Sequence, residues 1–460
     1  MGENSSASAS NDEYELKEIR NLLWGSIKED VFRRWSQGFE FSDVEPSALV
    51  QKQGGPCAVI APVQAFLLKI LLMETPGHNL KDLTNEKCNR LLIQALCNIL
   101  MKCKVNKYRI VYLPDISTEA KESSSAPSPA ADAEGNIHNS VESNEEHIEQ
   151  MVAKERPEWT SDEFHDRLSV IHLETIDDVE KYYTDNFYVL TGKYGVLLFM
   201  YSVILTKGVE NVQTELSDTS EPLIHNTYGY GSQGLINLML TGRAVSYVWD
   251  NDQDVGGLKL RGINQQSDIG FITLMEQMRY CTVGSFYKNP KNPVWIMGSD
   301  THLTVLFSNE KRLVSPETPS EIARRVFKSY DPDCNNFIPT PVLQDVLCTL
   351  HLVSDPEYVA IMQKKLDPEN LGIILLNAFM DEFFPEDQRS MPDTFDLMHY
   401  NGIPGSNFGN KVKYNKGTAI LLESDLKLMC SISNNMLTCL QTKWPNIEVN
   451  WNESRIPSLN

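Results

Sequence analysis

An α+β fold is what this 460-residue sequence predicts, on three observations. Residues 58–72 are apolar except for Gln64 and Lys69, the composition of a helix buried on nearly all sides. Residues 293–297 and 302–307 are β-rich runs that bracket the turn-forming Gly298-Ser299-Asp300-Thr301. Residues 418–422 and 447–451, rich in β-branched and aromatic side chains, predict strands that return to the same sheet.

Taken in order, residues 1–12 are polar and predict a disordered tail. Residues 13–114 form a first part of the main domain. Helical patterning runs there from near Tyr14 to about Gln37, then over 58–72, with Pro62 expected to kink or roughen the helix start. An amphipathic helix follows over 85–101 and a strand over 108–113. Composition shifts at 115–150 to Ser, Ala, Pro and nine acids against one Lys, without apolar period, which predicts a disordered acidic insertion. A second part of the main domain spans 151–318, with a strand at 168–172, a helix at 176–186, an apolar run at 195–205 and a helix opened by Tyr228-Gly229-Tyr230-Gly231-Ser232. Its aromatic loops fit either a peptide groove or the core.

Residues 319–388 carry a different pattern. Asp331-Pro332-Asp333-Cys334-Asn335-Asn336-Phe337-Ile338 places oxygen ligands at positions one, three and five of an EF-hand loop and an apolar residue at eight. Asp367-Pro368-Glu369-Asn370-Leu371-Gly372-Ile373-Ile374 repeats the frame. Position twelve, where a glutamate should close the cage, is Val342 in one loop and Ala378 in the other, and Leu371 offers no side-chain oxygen. The expectation is an EF-hand-like structural module without a metal, after which 389–460 supplies the C-terminal strands of the main domain.

The chemistry sits in Gln51-Lys52-Gln53-Gly54-Gly55-Pro56-Cys57-Ala58. A cysteine attacks a carbonyl as thiolate, and a helix N-terminus favours that anion through its unpaired N–H groups and dipole. Gly54 and Gly55 lack Cβ and would let a scissile backbone approach, and Pro56 suits the opening of a helix. The base partner should be near in space rather than in sequence. His302 is the histidine embedded in the strongest strand signal. If 308–311 forms a hairpin turn, Leu306 faces Leu313 and Glu317 falls opposite His302 as an imidazole orienter. An amide from Gln51 or Gln53, with the Cys57 N–H, could receive an oxyanion.

These motifs, Gln51-x-x-Gly54-Gly55-Pro56-Cys57 through Leu67 and Gly298-Ser299-x-Thr301-His302-Leu303-Thr304-Val305, resemble the MINDY family of cysteine deubiquitinases. The likeness runs from about Leu22 to Asn460 and extends to a branch with an EF-hand-like insertion and a Leu440-Gln441-Thr442-Lys443-Trp444-Pro445 segment. It implies a papain-like cysteine protease catalytic domain, with Cys57 as nucleophile, His302 as general base and Gln51 as the oxyanion residue. It also implies isopeptide hydrolysis in lysine-48-linked polyubiquitin, with polyubiquitin chains and ubiquitinated proteins as partners.

Composition is consistent with that class. A formal charge of −21 disfavours nucleic acid as a partner and suits one that presents basic residues. No run of eighteen apolar residues is present and the N-terminus lacks a signal-peptide core, so no membrane association is expected. Nine cysteines without paired spacing predict a reducing compartment, nucleus or cytoplasm, and no cofactor or zinc site is expected. Other readings stay open: a catalytically silent ubiquitin-binding scaffold, a calcium-responsive adaptor, or a hydrolase for a ubiquitin-like modifier.

Overall fold

A six-stranded sheet organises the protein, in a computed structural model that describes residues 3–74, 82–114, 158–316, 318–331, 335–386, 390–422, 434–453 and 455–460. Its strands are β1 (Gly270–Thr273), β2 (Val294–Gly298), β3 (Leu303–Phe307), β4 (Thr394–Tyr400), β5 (Tyr414–Leu421) and β6 (Ile447–Trp451). They lie in the order β6-β5-β4-β3-β2-β1, antiparallel throughout except for the β1–β2 pair. Every residue of β2 and β3 is buried, which is why both read as unbroken apolar runs.

The two faces of the sheet bury different cores. Val294, Ile296, Val305, Phe307 and Tyr400 join the main core. That core also holds helices α1 (Cys57–Glu74), α2 (Asn85–Cys103) and α3 (Gly195–Lys207). On the other face Trp295, Met297, Leu306 and Leu397 pack beneath α4 (Asn435–Gln441), Trp444 and Leu459. Helix α1 is long and apolar enough to cross a membrane, yet Cys57 through Leu68 are all buried, and the helix packs on α2, β2 and β3. Pro62 does not interrupt it. Its missing N–H costs one bond of the ladder, the one that would have met the Ala58 carbonyl in the second turn.

Several expectations need correction. The first helix spans Glu3–Trp24, starting well before Tyr14, and a second one, Glu29–Trp35, follows the left-handed Gly25. Asp12 is drawn to Arg109 and His172 on the antiparallel pair Tyr108–Tyr112 and Ser169–Leu173, so polarity there reflects ion pairing as well as solvation. The expected acidic insertion at 115–150 lies outside the described residues. The hairpin turn after β3 does not form. Residues Lys311–Val314 make a 3₁₀ turn that buries Leu313 under the sheet, and β3 pairs with β4 instead. β1, β4 and α4 had no counterpart in the sequence reading.

Between β3 and β4 the chain leaves the sheet for two helix–loop–helix units over residues 319–383. A two-stranded ribbon joins them, with Ile338 opposite Ile374. Ile338 and Ile374 belong to a separate core with Phe327, Leu347 and Phe379. In each loop the first aspartate caps the turn: Asp331 accepts from the Asn335 and Asn336 N–H groups, Asp367 from those of Leu371 and Gly372. Asn336 and Gly372 take positive φ at the equivalent turn position.

Candidate active site

Cys57 is the first residue of α1, and the loop ahead of it is shaped by glycines with different jobs. Gly55 has φ +138°, and a Cβ there would meet the Trp35 indole nitrogen at 3.0 Å and the Gly229 carbonyl at 3.2 Å. Those two groups are themselves bonded, Trp35 Nε1 donating to Gly229 O at 2.7 Å. Gly231 lies so close to the helix that an added Cβ would stand 2.5 Å from the Ala58 Cβ. Gly54, in contrast, is exposed and faces open space. Beside this elbow Tyr228 and Tyr230 stack with parallel rings 5.8 Å apart, His225 lying against both.

The Cys57 thiol is buried and donates to the Gly55 carbonyl at 3.7 Å. Burial pushes its pKa up to about 11, against the pull of the backbone N–H groups of Leu303, Ala58 and Cys57 itself. The thiol is therefore neutral in this state. Its contact with Leu303 puts it beside His302, which immediately precedes β3.

The His302 main chain is pinned by Ser299, whose N–H donates to the His302 carbonyl at 3.0 Å and whose Oγ accepts from the His302 N–H at 3.1 Å. Its Nε2 donates to Asn401 Oδ1 at 3.0 Å. The Ile403 N–H donates to the same oxygen at 3.0 Å, so that oxygen acts only as acceptor and Nε2 carries the ring proton. Nδ1 is left with its lone pair. Burial lowers the His302 pKa, with the Asn401 bond opposing, so the ring is held neutral.

Asn401 was missed by sequence reasoning. The proposed orienter, Glu317, lies outside the described residues, and the hairpin register that placed it opposite His302 is not formed. Pairing of Tyr400 with Val305 instead carries Asn401 to the His302 end of β3. Residues 394–400 followed by Asn401-Gly402 could be read as a strand ending in a turn, and that turn signal disguises the side chain's use.

Gln51 is brought to the same place. Its N–H donates to the Gly402 carbonyl at 2.8 Å, and the Tyr400 hydroxyl donates to the Leu49 carbonyl at 2.6 Å. The buried Gln51 side chain donates Nε2 to the Gln53 carbonyl at 2.8 Å, inside its own loop. Gln53 is exposed. Among the described residues no cluster of His, Cys, Asp and Glu has the make-up of a metal site. A thiol at a helix N-terminus, an imidazole with a free Nδ1 and an amide fixing Nε2 are groups suited to nucleophilic acyl transfer.

Comparison with known proteins agrees with that chemistry. Residues 20–326 match the conserved domain described as deubiquitinating enzyme MINDY-3/4. The chain is 64% identical to a Drosophila melanogaster protein named ubiquitin carboxyl-terminal hydrolase MINDY-3 homolog, over 98% of its own length and 84% of that protein. It is 46% identical to the Homo sapiens ubiquitin carboxyl-terminal hydrolase MINDY-3, over 96% of this chain and 99% of the other. The Danio rerio protein of that name is 46% identical over the same shares. No solved structure matches.

Proposed function

The chain belongs to the MINDY-3/4 family and is a deubiquitinase, and from that premise we propose that it hydrolyses isopeptide bonds in lysine-48-linked polyubiquitin with Cys57 as nucleophile, His302 as base and acid, and Gln51 as oxyanion donor. The observation that carries the assignment is the hydrogen bond from His302 Nε2 to Asn401, which leaves the Nδ1 lone pair available on the residue next to Leu303, whose backbone N–H reaches the thiol. The linkage rests on the family resemblance of the motifs around Cys57 and His302.

In the reaction, His302 Nδ1 takes the thiol proton and Sγ attacks the carbonyl carbon of ubiquitin's C-terminal glycine. The oxyanion is received by the Cys57 N–H and by Gln51 Nε2, which turns from the Gln53 carbonyl for the purpose. The Nδ1 proton passes to the leaving lysine amine, the C–N bond breaks, and a thioester remains. Water, deprotonated by His302, then releases the ubiquitin carboxylate and the thiol. The open space over Gly54 suits the narrow glycine tail of such a substrate.

We read the main domain as papain-like, supported by the chain order of Cys57, His302 and Asn401 and by a helix-borne thiol facing a strand-end imidazole. Residues 319–388 are read as an EF-hand-like module, supported by the Ile338–Ile374 pairing and the two aspartate-capped loops. Val342 and Ala378 leave each loop without the carboxylate that closes a calcium cage, so its role is structural.

The test exposes wild type, Cys57→Ala, His302→Ala and Gln51→Ala to ubiquitin chains of each linkage and to a ubiquitin probe with a C-terminal electrophile. Cleavage of lysine-48 chains and probe capture should both vanish in Cys57→Ala. A buried neutral thiol also fits a silent scaffold. That reading takes over if wild type neither cuts nor labels yet retains chains as well as Cys57→Ala does.

A further inference from the structure

We infer that the segment Ser458–Asn460 is a positioning element of the reaction centre, holding the Asn401 amide in the orientation that presents Oδ1 to His302. The inference rests on the catalytic reading of Cys57 and His302 above. An asparagine amide has two donor hydrogens and an oxygen with two lone pairs. At Asn401 all four are used. Oδ1 accepts from His302 Nε2 and from the Ile403 N–H, both at 3.0 Å, while Nδ2 donates to the Ser458 carbonyl at 3.0 Å and to an Asn460 main-chain oxygen at 3.5 Å.

The segment is built to bring those two acceptors together. Ser458 Oγ donates to the Asn460 oxygen at 2.6 Å and accepts from the Asn460 N–H at 3.1 Å, curling the chain into a tight turn. Between them the Leu459 side chain is buried on the face of the sheet that holds Leu306, Leu397 and Trp444. Below the turn, Asn407 Nδ2 clamps the Asn401 carbonyl at 2.8 Å, so the main chain is fixed independently of the amide.

The consequence for chemistry follows from the tautomer. With the segment in place, only a proton on Nε2 satisfies Oδ1, and Nδ1 is free to accept from the thiol. With the segment gone, the buried Nδ2 hydrogens lose both acceptors, and the amide rotates or admits water. His302 then samples the other tautomer, whose Nδ1–H cannot take the thiol proton.

The experiment is a double-mutant cycle on the full chain, using Asn401→Ala, Leu459→Asp and both together, with Cys57→Ala as control. The readouts are kcat and KM on the ubiquitin chain that wild type cleaves, and the histidine ring ¹⁵N resonances. Each single change is expected to lower kcat by up to about 100-fold with KM unchanged. The double change should be no worse than Asn401→Ala alone, Leu459→Met should restore kcat, and His302 should move from one tautomer to a mixture. Additive losses, or an unaltered tautomer, overturn the inference while leaving the catalytic reading intact. Cleavage surviving in Cys57→Ala overturns both. If Leu459→Asp loses its cooperative unfolding transition, Ser458→Ala, which opens only the turn, is read by the same criteria.

Discussion

Cys57, the proposed nucleophile, is held as its unreactive thiol. With a pKa pushed up to about 11 by burial, roughly one thiol in 10⁴ is ionised at pH 7. Alkylation of the free protein at Cys57 by iodoacetamide should therefore be slow near neutrality and rise about tenfold per pH unit until about pH 11. Mass spectrometry of the Cys57 peptide checks this, and a rate that levels off near pH 8 would contradict it. His302 works in the opposite sense. Its depressed pKa keeps it neutral on acidification further than an ordinary imidazole, so the acidic limb of kcat/KM should lie below the usual histidine value. The two glycines should separate equally sharply. Gly55→Ala, strained by φ +138° and pressed on Trp35, should cost on the order of 1–3 kcal/mol of stability in urea unfolding. Gly54→Ala should leave stability alone and raise KM, since its Cβ would enter the open space assigned to the substrate tail.

Among elements, the ionic knot at Asp268 ties α1 and α2 to the segment that leads into β1. Its carboxylate meets Lys102 of α2 at 2.7 Å, Lys69 of α1 at 3.3 Å and Lys291 at 3.4 Å. Burial alone would raise the Asp268 pKa, but the lysines override it and bring it down to about 2. A carboxylate depressed on folding stabilises fully above its unfolded pKa, near 3.8, and that contribution is lost as pH falls toward 2. Asp268→Asn should lower stability at pH 7 by about 2 kcal/mol and flatten the acid dependence between those limits, as thermal unfolding across pH would show. The substitution would also leave Lys69 and Lys102 together over the Phe66 ring without their anion.

At the scale of the whole molecule, the helical module over 319–383 has a core separate from those on the two faces of the sheet. It hangs between β3 and β4, which pair directly, so the sheet closes across its two ends. Its loops turn their leading aspartates onto their own N–H groups, leaving those carboxylates partly spent. Calcium should therefore give no heat on titration and no change in melting temperature or ubiquitin-chain cleavage. A saturable heat with a rise in melting temperature would restore the calcium-responsive reading.

Much of this was legible in sequence because the signals are local. A helix with an apolar surface all round, a Gly-Gly-Pro-Cys entry and a histidine ahead of a β-run are patterns of near neighbours, and they located α1, Cys57, His302 and the segment of Gln51. The paired loop frames foretold that Ile338 and Ile374 would match. Three-dimensional pairing decided the rest. Asn401 and Ser458 lie far from His302 along the chain and reach it because β4, which follows the inserted module, pairs with β3. A local reading paired β3 with the next residues in line and chose Glu317. Residue spacing reports which side chains can share a helix face or a strand. It does not report which strand becomes the neighbour, since that depends on the burial of two cores on opposite faces of one sheet, a property of the folded chain as a whole.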